Sequence, residues 1–310
     1  HIFRESCPAM LATLLRRFIA FELTVYLALA LYVLETPVLT AMLFALAGVL
    51  GLRLWIVGLT FVFAWRHRSP APRLGRFQAI GMFLGEFAAF ILNFVALSPF
   101  ERWWMGDDRL LPNGRRPPVL LIHGYGCSRA AWWWQRRGLE QAGWTVATIS
   151  LEPIYTDIEN YVDAVARRVD DVLAATGAPQ MIVVGHSMGG LVARAYLRKH
   201  GVAKTIRLIT LGTPHLGSEL ARVGIGENAR QMTPGNAWLA ALASEEPSVD
   251  TVNIFSSHDN FVTPTSNLLL PRARQQPIDG LGHLAMLYSP RVALFLREGL
   301  EAQETGSRLK

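Results

Sequence analysis

Residues 181–190 read MIVVGHSMGG, and the segment LVARAYL follows directly at 191–197. The first four residues are typical of a buried strand, and the segment after the glycines is typical of a helix. Between them lies the pattern Gly-x-Ser-x-Gly, a sharp turn that strains the serine backbone and needs glycine where neighbouring elements approach closely. The sequence therefore predicts that the hydroxyl of Ser187 projects above the carboxyl edge of a sheet, at the start of a helix.

The region around this turn, from residue 117 to residue 310, alternates short apolar runs with helical segments. Predicted strands lie at 119–122, 146–151, 181–184, 207–211 and 251–256, and predicted helices lie at 130–141, 158–175 and 191–200. Short buried strands that alternate with helices form parallel βαβ units. The prediction for 117–310 is an α/β domain with a mostly parallel sheet flanked by helices.

Residues 1–100 have a different composition. The chain is 51% hydrophobic with a mean hydropathy of +0.25, and the excess lies in three stretches at 18–34, 38–65 and 79–97. Each stretch is close to the ~20 apolar residues that cross a bilayer as a helix. We expect about three transmembrane helices in 1–100 and a linker at 101–116; the alternative is a buried helical hairpin of a soluble domain.

Three charged residues, Glu22, Arg53 and Glu86, lie inside these hydrophobic stretches. An unpaired charge in lipid costs at least ~2.5 kcal/mol, so each is expected to have a partner. We predict that Arg53 pairs with Glu22 or with Glu86.

Basic residues predict the orientation of these helices. The net charge of +6 comes almost wholly from arginines, which flank the hydrophobic stretches at 16–17 and 66–76. The positive-inside rule places both segments in the cytoplasm. Three crossings of a bacterial inner membrane then put the domain after residue 97 in the periplasm. If one stretch lies in the membrane–water interface instead of crossing, the domain is on the cytoplasmic side. No nucleic-acid-binding motif accompanies the charge, so a membrane is the predicted partner.

The two cysteines, Cys7 and Cys127, have neither a metal-binding spacing nor a disulfide framework, and we expect two free thiols. No metal and no cofactor is predicted. The first hydrophobic stretch lacks a convincing small-residue cleavage site, so no cleavable signal peptide is expected.

A serine nucleophile needs a base that takes its proton and an acid that orients the base. The histidines after Ser187 include His200, His215, His258 and His283. His283 lies in the glycine-rich segment GLGHL, after a late strand and before the last helix, where a base could reach back to the serine. His200 ends a helix and is expected to interact with the helix dipole.

The candidate acid is Asp259, which follows the predicted strand at 251–256. A carboxylate just beyond the carboxyl end of a strand can face a histidine over the same sheet edge. Asp279 lies only four residues before the histidine and Asp250 precedes the strand, so both are weaker candidates. Asp259 could alternatively cap a turn.

Two backbone N–H groups must face the oxyanion that forms during attack on a carbonyl. One is expected from Met188, directly after the serine. The other is expected from Tyr125, in the loop after the first strand, where Gly124 allows close approach to a substrate. The side chain of His123 is expected to brace this loop.

Five segments, HGYGCS, GHSMGG, LGTPHLGS, SSHDNFVTP and GLGHLAML, resemble in this order the α/β-hydrolase lipases and esterases, especially bacterial triacylglycerol-lipase-like proteins. The resemblance covers roughly residues 117–300. It implies a triad of Ser187, Asp259 and His283, with Tyr125 and Met188 as oxyanion donors and a cap or lid at about 214–245. The hydrophobic N-terminal region is not part of the usual secreted pattern, and the calcium site of some relatives is not carried over, because its ligands are not matched residue by residue.

Two tryptophans are candidate substrate contacts. Trp132 opens a run of three tryptophans after the oxyanion loop, and Trp238 lies in the expected cap. Core packing is the alternative for these side chains.

Taken together, the sequence predicts a membrane-anchored serine carboxylic-ester hydrolase that acts on apolar esters or lipids through an acyl-enzyme. An acyltransferase or a thioesterase could use the same three residues. A membrane scaffold protein with a vestigial hydrolase domain is the alternative from another class of protein.

Overall fold

A six-stranded parallel sheet forms the centre of the molecule. The computed structural model describes residues 10–245 and 249–301; Cys7 lies outside them. The strand order is β2-β1-β3-β4-β5-β6, and every neighbouring pair is parallel. The strands are β1 (Val119–Ile122), β2 (Val146–Ile149), β3 (Met181–His186), β4 (Thr205–Leu211), β5 (Asp250–Ser256) and β6 (Arg274–Ile278). The predicted α/β fold is confirmed, and the edge strand β6 is the late strand for which no bounds were predicted.

Helices cover both faces of the sheet, which explains why β1 and β3 are buried along their whole length and why their residues before Gly185 are apolar. Their bounds are α5 (Trp133–Gln141), α6 (Glu159–Thr176), α7 (Met188–His200) and α10 (Pro290–Glu301). One apolar core lies between the sheet and α6 with α7. A second lies between the sheet and α5 with α10.

The segment predicted as a cap lies between β4 and β5. It contains two short helices, α8 (Glu227–Gln231) and α9 (Ala237–Ser244). Met232, Leu239 and Leu242 anchor it because their side chains are buried in the core beside α7. Gln231 of α8 also accepts the backbone N–H of Ile158 at 2.8 Å and so ties the segment to the start of α6.

In the described part of the chain, four α-helices precede the sheet: α1 (Met10–Ala28), α2 (Val38–Arg66), α3 (Arg76–Ile91) and α4 (Glu101–Met105). Helical turns extend α1 to Val33 and connect α3 with α4. By length and composition, the helical stretches Val38–Arg66 and Arg76–Met105 could cross a membrane. The first helix does not meet the same criterion, since it contains Arg16, Arg17 and Glu22. Within residues 10–245 and 249–301 there are thus two candidate spans, where the sequence predicts about three.

The helices α1 and α2 pack together as a hairpin around a buried ion pair. The guanidinium of Arg53 on α2 bonds the carboxylate of Glu22 on α1, and both side chains are buried. Of the two predicted partners of Arg53, the structure therefore selects Glu22. Most large apolar side chains on the outer faces of this hairpin are exposed, including Phe21, Leu43 and Trp55.

The helix α3, by contrast, lies along the α/β domain. Glu86, Ala89, Asn93 and Leu97 are buried on one face at helical spacing. The side-chain oxygen of Asn93 accepts a hydrogen bond from the hydroxyl of Tyr288 at 3.4 Å. A polar face that packs on the α/β domain cannot at the same time face lipid.

The two basic segments lie at the same end of the hairpin as the α/β domain. Arg16 donates to the carbonyl oxygen of Pro99 at 2.7 Å. His258, in the loop after β5, bonds the carbonyl oxygen of Pro72 at 2.9 Å.

The segment predicted as a linker, 101–116, also packs on the domain through Asp108. Its buried carboxylate accepts hydrogen bonds from the backbone N–H of Thr148 and from Arg168, both at 2.6 Å, and lies 3.0 Å from Arg136. The buried Asp108 and Arg136 and the partly buried Arg168, held this way, fix the segment in place. The boundaries at 101 and 117 stay predictions.

Candidate active site

The turn between β3 and α7 holds Ser187 in a strained conformation. Its φ of 55° and ψ of −127° lie in a region that residues other than glycine rarely adopt. A Cβ on Gly185 would lie 2.5 Å from backbone atoms of Gly189, and a Cβ on Gly189 would lie 2.3 Å from the carbonyl oxygen of Ile122. Glycine is therefore required at both positions, as the sequence pattern predicts.

His283 and Asp259 form a buried pair. His283 Nδ1 lies 2.7 Å from Asp259 Oδ2, and the side chains are 4% and 0% exposed. The other carboxylate oxygen, Oδ1, accepts the backbone N–H groups of Phe261 and Val262, each at 2.8 Å. With both carboxylate oxygens used in this way, the aspartate holds the proton of the imidazole on Nδ1 and leaves Nε2 as the acceptor.

The histidine lies beside the serine turn. The ring centroids of His283 and His186, the residue before Ser187, are 4.7 Å apart. On its other side the ring of His283 stacks on Phe261, with centroids 5.1 Å apart. The structure therefore brings the predicted serine, acid and base to one edge of the sheet.

The balance of two effects sets the basicity of His283. Burial lowers its pKa, while the charge of Asp259 and its hydrogen bond raise the pKa by more, with a smaller contribution from the charge of Glu86. The net result is a pKa above the ordinary 6.5. The imidazolium formed when this base takes a proton is thus stabilised inside a buried site.

The loop after β1 runs directly past the serine. A Cβ on Gly124 would lie 2.7 Å from the Cβ of Ser187, so the backbone of this loop is in contact with the nucleophile. Tyr125 follows in the same loop. Met188 begins α7, and backbone N–H groups in a first helical turn have no acceptor within the helix. Both N–H groups thus belong to segments that border the serine.

His123 braces this loop, as expected. Its Nδ1 donates to the carbonyl oxygen of Gly124 and its Nε2 accepts the N–H of Leu151, both at 2.9 Å. Burial lowers the pKa of His123 to about 4. The ring is therefore neutral at neutral pH and holds two loops together without an acid–base role.

The other histidines have partners of their own. His215 contacts Arg194 at 3.2 Å, and burial together with this charge keeps its pKa well below the ordinary value. His200 ends α7 and pairs with the exposed Asp163 at 3.1 Å. His258 bonds the loop between α2 and α3. The structure does not direct any of these rings to the Asp259 carboxylate.

The two weaker acid candidates are also engaged elsewhere. Asp250 forms an ion pair with Arg207 on the neighbouring strand. The side chain of Asp279 is 49% exposed and lies 3.9 Å from His258. Among the three carboxylates considered from the sequence, Asp259 is the one that bonds His283.

A cavity of about 190 Å³ adjoins Ser187 between the loop after β1 and the cap. The hydroxyl of Tyr125 donates to the carbonyl oxygen of Ile225 and accepts its N–H, at 2.7 and 2.8 Å, and so ties the loop to the cap. The remaining lining is mostly apolar: Pro214, Ser218, Leu220, Ala221, Val223, Gly224, Ala229, Met232, Phe261 and Val262.

Neither predicted tryptophan lines this cavity. Trp132 is fully buried in the core beside α5 and packs edge-on against His186, with ring centroids 6.2 Å apart. Trp238 donates its Nε1 proton to Glu159 at 2.8 Å, on the far side of the cap. Both side chains take the alternative role of packing: Trp132 lies inside the core, and Trp238 is partly buried against the core beside α7.

Three features of the site have no counterpart in the sequence reasoning. Phe261 and Val262 line the cavity and fix the aspartate; their position directly after Asp259 is the signal that could have found them. Glu86 contacts the loop that carries the base, accepting the N–H groups of Leu284 and Ala285. The signal in the sequence is a carboxylate within an apolar helix, but the sequence analysis assigns Glu86 only as a possible partner of Arg53.

The thiol of Cys127 is buried beside the helical segment that begins with α3, and burial raises the pKa of this thiol to about 12. It is therefore a neutral core residue at neutral pH. Across residues 10–245 and 249–301, no group of three His, Cys, Asp or Glu side chains is arranged to hold a metal ion.

Comparison with known proteins identifies the fold. Residues 117–251 match the model of the alpha/beta hydrolase fold family. Triacylglycerol lipases of Pseudarthrobacter phenanthrenivorans and Burkholderia plantarii are each 34% identical over 114 residues, which is 34% of this chain. The aligned part spans about a third of each relative, 35% and 32%.

Solved structures agree. The mature lipase BlEst2 of Bacillus licheniformis has a TM-score of 0.54 at 19% identity, over 62% of this chain and 95% of that one. Lipase B of Aspergillus fumigatus has a TM-score of 0.57 at 15% identity, over 94% of this chain and 81% of that one. Residues 117–251 of this chain therefore form an alpha/beta hydrolase fold domain, whose sheet continues through β6 to the loop of His283.

Proposed function

We propose that this chain is a serine carboxylic-ester hydrolase of the lipase and esterase type. The observation that carries the proposal is the buried His283–Asp259 pair beside a serine held at positive φ. Nucleophilic catalysis requires a serine held next to an oriented imidazole. Core packing does not require this arrangement and would not favour a strained serine. The similarity to proteins named triacylglycerol lipases supports the same reaction class.

In the first half of the reaction, Ser187 Oγ attacks the ester carbonyl carbon while His283 Nε2 takes the hydroxyl proton. The carbonyl oxygen becomes an oxyanion, which accepts hydrogen bonds from the N–H groups of Tyr125 and Met188. The imidazolium, stabilised by Asp259, then gives its proton to the leaving alkoxide. An alcohol departs and the acyl group stays on the serine.

The second half repeats these steps with water. The water oxygen attacks the acyl carbonyl carbon while His283 takes a proton from the water. His283 then gives this proton to Ser187 Oγ. The carboxylic acid leaves and the serine is regenerated. Acyl transfer or thioester hydrolysis would use the same groups, and product analysis with an added alcohol separates transfer from hydrolysis.

The cavity beside the serine supports an apolar acyl group as the substrate portion bound there. Its lining is mostly aliphatic and aromatic, and its volume of about 190 Å³ is below the ~300–1,000 Å³ of typical ligand pockets. Esters with short to medium acyl chains that partition into a membrane fit these properties best.

The α1–α2 hairpin supports membrane anchoring. Its outer faces expose large apolar side chains, and from Val38 to Thr60 the helix α2 rises ~33 Å, about the thickness of a hydrocarbon core. The buried Arg53–Glu22 pair lies inside the hairpin, where its charges are neutralised away from lipid. We propose that this hairpin inserts into the inner membrane of a bacterium.

The contacts of the basic segments support a cytoplasmic catalytic domain, in place of the periplasmic one that the sequence pattern predicts. The 67–75 loop contacts His258 of the domain, and Arg16 lies at the same end of the hairpin, where it contacts Pro99 in the turn before α4. The positive-inside rule then assigns the domain to their side. In whole cells a membrane-impermeant maleimide should label Leu34→Cys at the hairpin tip, while Arg115→Cys should react only after lysis. The reverse pattern would return the domain to the periplasm.

A fluorophosphonate probe tests the proposed function directly. The full-length protein in detergent should be labelled, and peptide mass spectrometry should place the label on Ser187. The variant Ser187→Ala should not be labelled, whereas Ser266→Ala, a serine in the 265–268 turn, should be labelled as the wild type is. Labelling that persists in Ser187→Ala would refute the assignment of the nucleophile.

A further inference from the structure

Glu86 of helix α3 reaches the loop that carries the catalytic base. Its two carboxylate oxygens accept the backbone N–H groups of Leu284 and Ala285, at 3.1 and 2.8 Å. These two residues directly follow His283. The Glu86 side chain is fully buried, so no water competes for the two hydrogen bonds.

The fit on the other side of His283 is equally close. A Cβ on Gly282 would lie 2.4 Å from Glu86 Oε2. The carboxylate therefore touches the backbone both before and after the catalytic histidine, and a shift of Glu86 must displace that segment.

A second link connects helix α2 to the acid loop. Asn260, next to Asp259 and fully buried, accepts the backbone N–H of His283 at 2.9 Å. Its amide donates to Thr60 Oγ1 of α2 at 2.7 Å. One buried amide thus joins the acid loop, the base loop and the N-terminal helices.

We propose that the N-terminal helices are part of the catalytic apparatus, and that Glu86 is a positioning residue that fixes His283 through the backbone of its loop. This inference rests on the proposed function. Glu86 lies outside residues 117–251, which match the hydrolase fold family, so the two acceptors of the base loop come from the N-terminal helices. The helices supply them, and so connect the membrane anchor directly to the triad.

The expected consequence is a loss of precision in the position of the imidazole. Glu86→Gln keeps the shape of the side chain and one acceptor oxygen, but it places an NH₂ group against the second backbone N–H. Two donors that face each other push the loop away. A displacement of about 1 Å can cost about 100-fold in rate, so we expect kcat to fall at least about tenfold with KM nearly unchanged.

Glu22→Gln is the matched control. It removes a buried carboxylate from the same helical unit, yet its partner is Arg53 and it has no contact with the catalytic loops. Both variants are expected to lower Tm, whereas only Glu86→Gln is expected to lower kcat. If the two variants lose stability equally and keep wild-type kcat, Glu86 is a packing residue and the proposal is wrong.

Thr60→Val tests the second link with a side chain of nearly the same shape. It removes the acceptor of the Asn260 amide, and we expect kcat to fall several-fold at constant KM. Unchanged kcat in this variant would remove α2 from the proposal. Fluorophosphonate labelling separates a failure of this inference from a failure of the proposed function. If Ser187→Ala loses labelling while Glu86→Gln and Thr60→Val are labelled at the wild-type rate, this inference is wrong and the proposed hydrolase function still holds.

Discussion

Asp259→Asn tests the orientation of the base. The two backbone N–H groups of Phe261 and Val262 require an acceptor, so the oxygen of the asparagine takes the place of Oδ1. Its NH₂ group then faces His283 Nδ1, which must become an acceptor. The ring proton moves to Nε2, and the nitrogen that should take the serine proton is blocked.

The loss follows from this wrong tautomer. A histidine fixed with its proton on the nitrogen that faces the serine lowers kcat by about 10⁴ in serine hydrolases, which corresponds to ~5.5 kcal/mol of transition-state stabilisation. Because the substituted side chain has the same size, the fold should be retained. The change is therefore expected in kcat, with an unchanged circular dichroism spectrum.

The assay is the hydrolysis of p-nitrophenyl butyrate by the full-length protein in detergent. Asp279→Asn is the control, because this half-exposed carboxylate lies four residues before the base and contacts His258 instead. The control should keep wild-type kcat. A kcat for Asp259→Asn within tenfold of the wild type would refute the proposed role of this aspartate.

The remaining predictions concern the base, the loops and the hairpin. Since the pKa of His283 is raised and its neutral form is the base, kcat/KM should increase with pH through an acid limb above 6.5; a limb below that value would contradict the pairing. His123→Ala, which frees the oxyanion loop, should lower kcat by about 10- to 100-fold, and a change confined to KM would argue against bracing. Gly189→Ala places a Cβ 2.3 Å from a β1 carbonyl oxygen and should abolish labelling by the fluorophosphonate probe; retained labelling would mean that the turn can relax. Arg53→Leu leaves Glu22 buried without its cation and should cost ~3–5 kcal/mol of stability, seen as a lower Tm in detergent; an unchanged Tm would show that the pair contributes little.

Local patterns were sufficient to predict the sheet and the serine turn. The run at 181–184 and the flanking glycines report a buried strand and a close approach between elements, which are properties of the residues themselves. The edge strand β6 was harder because its sequence, RQQPI, has only one buried residue and therefore little hydrophobic pattern.

The roles of single side chains depended on tertiary contacts. Asp259 and His283 lie 24 residues apart, and their positions after a predicted strand and in a glycine-rich loop, together with the chain order, were enough to select them. For the tryptophans, composition suggested a substrate pocket, but the side chain of Trp132 fills the core between the sheet and α5. Nothing local distinguishes a buried indole from one that lines a cavity.

The N-terminal region shows the same limit more clearly. Hydropathy alone treats 18–34, 38–65 and 79–97 as equivalent stretches. The structure distinguishes them because the third presents Glu86 and Asn93 to the α/β domain, whereas the charged residues of the first two, Glu22 and Arg53, pair with each other inside the hairpin. The polar residues that set this difference have partners some 200 positions away in the chain, as with Glu86 and Leu284.

The most direct test of the central claim is the mass of the intact protein during turnover of p-nitrophenyl butyrate. The account predicts that a butyryl adduct accumulates on the wild type, that it maps to Ser187, and that Ser187→Ala shows neither adduct nor hydrolysis above background. An adduct on another residue, or full hydrolysis by Ser187→Ala, would contradict it.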